Sequence, residues 1–223
     1  MTIQSDSRVG EIATEYPMAT RVFHRHGIDF CCGGGRPLSE ACAKRGVDAG
    51  LVLEELQKEL ETTSEPQKRW DQEPLDDMID HILVTYHEPL GEELPRLEAM
   101  AAKVNEVHGA AYPDTVPKIL NVFLGLKAEL ENHMAKEEQI LFPMIRAGQG
   151  AMTGGPVSVM EQEHESAGAA LTNLRELTNN YEVPEWACNT WRALWHGLEA
   201  LEQDLHQHIH LENNILFPRA QGR

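Results

Sequence analysis

The sequence predicts an all-α protein, in which a small N-terminal helical domain is followed by an antiparallel four-helix bundle. From Leu75 onward, apolar residues recur at helical spacing and strand-like alternation is almost absent. The helical pattern breaks at Tyr112–Pro113–Asp114, between Gly148 and Pro156, and at Glu182–Val183–Pro184. Long helices joined by short connections pack as antiparallel neighbours, so these breaks favour a bundle.

Three short helices are predicted in the N-terminal domain, residues 1–60. Pro17 suits the first turn of a helix that runs to His26, and Gly27 suits the position after its end. Pro37 opens a second helix that ends near Gly46, and Asp48 caps a third that carries a leucine stripe. Residues 28–35 form a turn-rich loop between the first two helices.

Residues 61–74 are polar, contain two prolines and are predicted to be a linker. The bundle domain follows as residues 75–223. Its helices are predicted at 75–108, 116–147, 156–180 and 184–217. Pro89, Pro95 and Pro143 fall inside these helices, where proline kinks or interrupts a helix.

The net charge of −17 opposes binding to nucleic acid, because phosphate backbones select basic surfaces. The polar N-terminus is not expected to be a signal peptide, and no apolar run approaches the ~20 residues of a membrane span. Cys31 and Cys32 are adjacent and so are poorly placed for a disulfide framework, which favours a cytoplasmic setting. Cys42 and Cys188 are interpreted as small core residues.

A His-x-x-x-Glu pattern occurs twice, at His133/Glu137 and again at His208/Glu212. Residues four apart lie on one helix face, so each copy presents an imidazole and a carboxylate together. His87 precedes His133 by 46 residues and His164 precedes His208 by 44, which indicates a duplicated helix pair.

These six residues predict a metal site built from facing helices of the bundle. Four imidazoles and two carboxylates exceed the needs of one tetrahedral ion, so two ions that share bridging carboxylates are the economical count. Mixed nitrogen and oxygen ligands suit iron or manganese with positions left open for a small molecule. A ferritin-like site would need two Glu-x-x-His pairs, and only Glu161/His164 provides one. His81, His206 and His210 lie off the ligand face and are predicted to be surface residues.

Three carboxylates near these ligands are candidates to orient an imidazole or to provide a route for iron release, and solvated surface positions are an equal alternative for each. Glu129 lies four residues before His133 on the same helix face, Glu138 adjoins Glu137, and Glu163 adjoins His164. The remaining apolar stripes are predicted to be bundle core: Leu83, Leu90, Leu94, Leu97, Leu120, Leu124, Leu130 and Ile140, with Trp191 and Trp195.

The bundle motifs resemble the hemerythrin-like domain, and the whole chain resembles the family of di-iron proteins for repair of iron-sulfur clusters (RIC, the YtfE and ScdA type). The resemblance is carried by Asp29–Phe30–Cys31–Cys32–Gly33–Gly34, Ile79–Asp80–His81–Ile82 with Tyr86–His87, His133–Met134 with Lys136 to Pro143, Met160–Glu161 with Glu163–His164, and His208 with Leu211–Glu212–Asn213–Asn214. It implies a non-haem di-iron centre with four histidines and two bridging glutamates, at the six positions named above: His87, His133, Glu137, His164, His208 and Glu212.

The resemblance also implies a cytoplasmic role in restoring iron-sulfur clusters damaged by nitric oxide or peroxide. The expected partners are damaged iron-sulfur proteins, with nitric oxide or O₂ as small ligands. Neither nucleic acid nor a membrane is expected to bind, and a homodimer is one alternative for the oligomeric state. Cys31 and Cys32 are expected to assist redox chemistry or to hold iron or nitrosyl groups, against the alternative of a structural turn. Nitric oxide reduction by an enzyme and reversible sensing of O₂ or nitric oxide are the competing functions.

Overall fold

The structure is a computed structural model that describes residues 3–62 and 68–222. These residues are mainly helical and contain no β-strand, only an isolated antiparallel bridge between Arg8 and Pro37. The predicted all-α class is therefore confirmed. No helix within the described ranges is both long and apolar enough to cross a membrane.

The chain divides into two compact units. Unit 1 contains the described residues up to Met78, together with Gln149–Met152 and the chain from His206 onward. Unit 2 contains Ile79–Gly148 and Thr153–Leu205. Residues 63–67 of the predicted linker lie outside the described part of the chain, and its boundaries stay a prediction.

Unit 1 begins with four helices: α1 (Val9–Glu15), α2 (Ala19–Arg25), α3 (Leu38–Arg45) and α4 (Ala49–Thr62). The last three match the predicted helices, whereas α1 was not predicted. Gly27 and Gly46 end α2 and α3 with φ of 61° and 68°, a conformation that favours glycine. Asp48 Oδ1 accepts hydrogen bonds from the N–H groups of Gly50 and Leu51, as expected of a helix cap. Phe23 is among the fully buried core residues of this unit.

The bundle is formed by α5 (Leu75–Ile82), α6 (Glu88–His108), α7 (Val116–Lys136), α8 (Phe142–Arg146), α9 (Gly154–Leu177) and α10 (Asn189–Leu211). A final short helix, α11 (Phe217–Ala220), closes the chain. In unit 2, α7 packs against α6 and α9. The core of this unit draws leucines from α6, α7, α9 and α10, among them Leu97, Leu126, Leu171 and Leu198, which are almost completely buried. The four-helix bundle is therefore confirmed.

Within the described ranges, three helices are widened by a five-residue π-helical turn: Leu83–His87, Glu137–Leu141 and Glu212–Leu216. A proline follows each turn at the first positions of the next helix: Pro89, Pro143 and Pro218. Proline has no N–H and its ring collides with the carbonyl group four residues earlier, and a wider turn is one way to relieve that conflict. The kinks predicted at Pro89 and Pro143 therefore take the form of π-turns, whereas Pro95 lies within an uninterrupted α6.

Candidate metal centre

In unit 2, the carboxylate of Glu137 lies among imidazole nitrogens. The Oε2 atom of Glu137 is 3.4 Å from His87 Nε2 and 3.3 Å from His133 Nε2. His164 Nε2 is 3.1 Å from His133 Nε2. Glu137 is completely buried, and neither of its oxygens accepts a well-formed hydrogen bond from the residues that the structure describes. A buried carboxylate without hydrogen bonds is costly, so this arrangement calls for a cation.

The outer nitrogens of two imidazoles face carboxylates. His87 Nδ1 is 2.8 Å from Glu138 Oε1, and His133 Nδ1 is 2.9 Å from Glu163 Oε2. Because an ionised carboxylate only accepts hydrogen bonds, the proton of each neutral imidazole belongs on Nδ1. The lone pairs on Nε2 are then directed toward Glu137, and carboxylate–histidine pairs of this kind orient metal ligands.

Glu163 is held by a second partner, since Lys136 also forms an ion pair with its carboxylate. Burial raises the pKa of Glu163, but Lys136 and His133 outweigh it and the pKa is lowered overall. Glu163 therefore remains an acceptor for His133 at neutral pH. It lines a surface groove of about 640 Å³ between α7 and α9, together with Lys136, Ile140 and Val159.

The π-turns place the ligand candidates at defined points of their helices. His87 is the last residue of one π-turn and Glu137 is the first of the next. A π-turn changes the direction in which nearby side chains point, and such turns are frequent at functional sites. The prolines that follow the π-turns therefore influence the directions in which the side chains of His87 and Glu137 point.

In unit 1, the second His-x-x-x-Glu pair has the same local design. His208 Nε2 is 3.0 Å from Glu212 Oε1, and both side chains are buried. Glu212 begins a π-turn, as Glu137 does. Both copies therefore place a buried imidazole beside a buried carboxylate at the start of a π-turn, but only Glu212 is hydrogen-bonded to the histidine of its own motif. The role of the two glutamates as bridging ligands stays a prediction.

The cysteine loop also belongs to unit 1, where it forms a compact group of donors. Ligand atoms of Asp29, Cys31 and Cys32 lie within 4.8 Å of one another. Asp29 Oδ1 accepts hydrogen bonds from the backbone N–H groups of Cys31 (3.2 Å) and Cys32 (3.0 Å). The thiol of Cys31 is buried and its pKa is raised, first by its hydrogen bond to Cys32, then by burial and by the charges of Cys32 and Asp29.

Asn214 is a functional candidate whose role was not predicted from the sequence, although it belongs to the motif that carries the family resemblance. Its Nδ2 donates to the carbonyl oxygens of Cys31 (2.9 Å) and Phe30 (3.3 Å). A side chain at Gly10 or Gly34 would collide with it, because a Cβ there would lie 2.5 Å or 2.4 Å from Asn214 Oδ1. Asn214 lies in the π-turn that begins with Glu212, and it therefore connects this turn to the cysteine loop.

Two predictions of exposure were wrong, since one predicted surface residue is buried and one predicted core residue is exposed. His210 was predicted to be exposed but is buried, with its ring 5.6 Å from that of Phe30, and burial lowers its pKa to about 4. Cys188 was predicted to be core but is exposed, 3.5 Å from His108 Nε2.

Two bundle-core predictions were also wrong, since Leu124 and Ile140 are exposed. Glu129, the third carboxylate considered, accepts a hydrogen bond from Ser166 on α9. Among the described residues, Glu129 forms no hydrogen bond or ion pair with an imidazole, so Glu138 and Glu163 are the carboxylates that face the histidines.

Comparison with known proteins gives two domain matches and a set of close relatives. Residues 78–220 match the hemerythrin HHE cation binding domain, and residues 5–60 match a domain of unknown function, ScdA_N (DUF542). The chain is 46% identical over 216 residues to the iron-sulfur cluster repair protein YtfE of Escherichia coli O81 (strain ED1a), covering 96% of each chain. Identity to the protein of the same name from Escherichia fergusonii (strain ATCC 35469) is also 46%, with the same coverage.

Proposed function

This chain belongs to the family of iron-sulfur cluster repair proteins with a hemerythrin-like domain, and we propose that it restores clusters damaged by nitrosative or oxidative stress by supplying iron from its bundle. The family predicted from the sequence motifs is confirmed by the two domain matches and the full-length relatives. The damaged clusters of other proteins are the proposed substrates, and the cytoplasm is the proposed location.

The buried carboxylate of Glu137 is the observation that carries this proposal. The Nε2 atoms of His87 and His133 lie within 3.4 Å of the Oε2 atom of Glu137, yet neither nitrogen makes a well-formed hydrogen bond to this oxygen. A site designed for hydrogen bonding would satisfy both oxygens. Convergent lone pairs around an unsatisfied carboxylate instead fit a metal ion, and the nitrogen and oxygen donors suit non-haem iron.

We propose that the residues of both His-x-x-x-Glu motifs hold two iron ions, with Glu137 and Glu212 as bridging ligands. The terminal ligands would be His87, His133, His164 and His208. The match to a cation binding domain supports this set, because residues 78–220 include all six positions. When bound, such a centre offers open coordination positions for small ligands, for which nitric oxide and O₂ are the candidates.

The outer carboxylates would control how firmly the iron is held. Glu138 and Glu163 keep the protons of His87 and His133 on the outer nitrogens, which leaves Nε2 available for the metal. Both carboxylates are partly exposed. Protonation of either carboxylate, or a new partner for it, would weaken its imidazole as a ligand. The groove beside Glu163 gives solvent access to this point.

Transfer of iron also needs a means of passing the ion to another protein. Cys31 and Cys32 are the proposed residues, because thiolates bind iron and exchange it with other thiols more readily than buried imidazoles do. Their loop is partly accessible through Cys32, which is half-buried. Their proposed role is to assist the transfer of iron, and they are not proposed as ligands of the centre in the bundle.

Restoration of a damaged cluster in a purified dehydratase tests this function. Iron-loaded protein is incubated anaerobically with a dehydratase whose cluster has been disrupted by nitric oxide, and enzyme activity is followed. We expect recovery that depends on the iron carried by the protein. The Glu137→Gln variant serves as the iron-deficient control and should give little recovery. Equal recovery with free ferrous iron at the same concentration would contradict the proposal.

A further inference from the structure

The cysteine loop contains a set of donors with the spacing of a metal site. The Sγ atoms of Cys31 and Cys32 are 3.9 Å apart, and Cys31 Sγ is 3.4 Å from Asp29 Oδ1. Two thiolates bound to one ion at ~2.3 Å with tetrahedral angles are separated by about 3.8 Å. The two sulfur atoms are therefore already at the separation that shared coordination requires.

The charge around the loop favours a cation. Asp29 and the two thiols are all acidic groups, and no lysine or arginine side chain of the described residues forms an ion pair with Asp29. A bound cation would neutralise these acidic groups and would hold the thiols in their deprotonated form.

The backbone fixes the positions of these donors. Asp29 Oδ1 is tied to the N–H groups of both cysteines, and Gly33 leaves room for the carboxylate, since a Cβ there would lie 2.8 Å from Asp29 Oδ2. Asn214 holds the carbonyl group of Cys31 from the other side. Ligands that are positioned before the ion arrives lose less conformational freedom on binding.

We propose that Asp29, Cys31 and Cys32 form a second metal site, which takes a thiophilic divalent cation. On binding, two S–H bonds break, two metal–sulfur bonds form and two protons leave to solvent, with no change in oxidation state. The identity of the natural ion as ferrous iron rests on the proposed function in cluster repair. Three protein ligands leave a position open for a donor from a partner, as in metal sites that exchange ligands.

Cobalt(II) binding to the full-length chain tests this site. The metal-free protein carries Cys42→Ala and Cys188→Ser, so that only Cys31 and Cys32 remain as thiols. The titration is carried beyond three equivalents of cobalt, because the proposed bundle centre can take up two. We expect a thiolate-to-cobalt charge-transfer absorption in the near ultraviolet whose final intensity corresponds to one thiolate-bound cobalt per chain. Histidine and carboxylate ligands in the bundle give no absorption of this type.

Matched variants identify the ligands. Asp29→Asn should weaken the cobalt–thiolate complex by about tenfold or more, since a loss of this size is typical when a ligand or its support is removed. Asp6→Asn, at an exposed position of the same unit, should bind as the parent does. Cys32→Ser should remove most of the absorption. Circular dichroism and the iron content of the bundle report whether each variant is folded.

Three results would overturn the site: no charge-transfer absorption, equal affinity in the Asp29→Asn and Asp6→Asn variants, or a final intensity that corresponds to half a thiolate-bound cobalt per chain. The last result would mean that the thiols of two chains share one ion. Failure here is distinguishable from failure of the proposed function, because a Cys31→Ser/Cys32→Ser variant should still carry two irons in its bundle. The His133→Ala variant should lose bundle iron and keep the cobalt–thiolate absorption.

Discussion

The two groups of candidate ligands, in the bundle and in the cysteine loop, differ in their donor atoms and in how those atoms are supported. Glu137 and its imidazoles are buried, and carboxylates on the outer side orient two of the imidazoles. The loop offers sulfur and one carboxylate, is partly accessible, and is positioned by backbone hydrogen bonds and by Asn214. Burial and outer partners favour retention of an ion, whereas the half-buried thiol of Cys32 favours exchange. This difference supports our proposal that the bundle stores iron and that the loop transfers it.

Replacement of Glu137 should have the largest effect and should act on the bundle alone. Glu137→Gln is expected to lower iron from about two ions per chain to less than one, measured by metal analysis. The metal-free variant should nevertheless be as stable as the metal-free parent or more stable, because the uncompensated buried charge is removed. Loss of stability in the metal-free variant, measured by urea unfolding, would show that the carboxylate supports the fold without metal.

Removal of an outer carboxylate should weaken the bundle site without destroying it. Glu163→Gln is expected to lower iron affinity by about 10- to 100-fold, the range found for groups that orient ligating histidines. Competition with a chelator of known affinity measures this change. Glu165→Gln on the same helix is the matched control, because this side chain is exposed. Equal iron affinity of the two variants would show that Glu163 does not support the metal site.

Gly34 and Gly35 differ in the space around them, and this difference tests the contact between the cysteine loop and Asn214. A Cβ at Gly34 would lie 2.4 Å from Asn214 Oδ1 and 2.8 Å from the carbonyl oxygen of Phe30, whereas nothing lies within 4 Å of one at Gly35. We expect Gly34→Ala to lower the free energy of unfolding by about 1–3 kcal/mol, as overpacking does. Gly35→Ala should have little effect. Similar unfolding curves for both variants would contradict the described contact with Asn214.

The smallest expected effect concerns Asn214 itself. Asn214→Ala removes the donor to Cys31 and should lower the free energy of unfolding by about 1 kcal/mol. It should also raise the rate at which Cys31 reacts with a thiol reagent, because the loop is less firmly held. Asn132→Ala is the control, since its amide donates a local hydrogen bond to the carbonyl group of Ala128 one turn earlier. An unchanged labelling rate would show that Asn214 does not restrain the loop.

Local patterns allowed the main features of the bundle to be predicted. The His-x-x-x-Glu pairs follow from helical periodicity, and the structure confirms that His133 and Glu137 face one another. Prolines indicated interruptions near His87 and Glu137, but the type of interruption depends on how the backbone hydrogen bonds rearrange. Sequence alone does not specify a π-turn.

Features that depend on distant contacts were not predictable in the same way. Glu138 and Glu163 adjoin candidate ligands in the sequence and Glu129 lies four residues before His133, but the choice among the three depends on contacts between residues 51 and 30 positions apart. His210 is buried because Phe30, from the other end of the chain, packs against it. The contact of Asn214 with Cys31 joins residues 183 positions apart, a separation that periodicity cannot bridge.

Metal analysis combined with Mössbauer spectroscopy, on the parent protein and on His133→Ala, tests whether the bundle holds a di-iron centre. We expect two irons per chain in the parent protein, with the spectrum of a coupled non-haem pair. His133→Ala should lose most of this iron, because it removes a ligand that lies 3.3 Å from Glu137 and 3.1 Å from His164. Zinc in place of iron, a single metal ion per chain, or unchanged iron in the variant would contradict the di-iron centre.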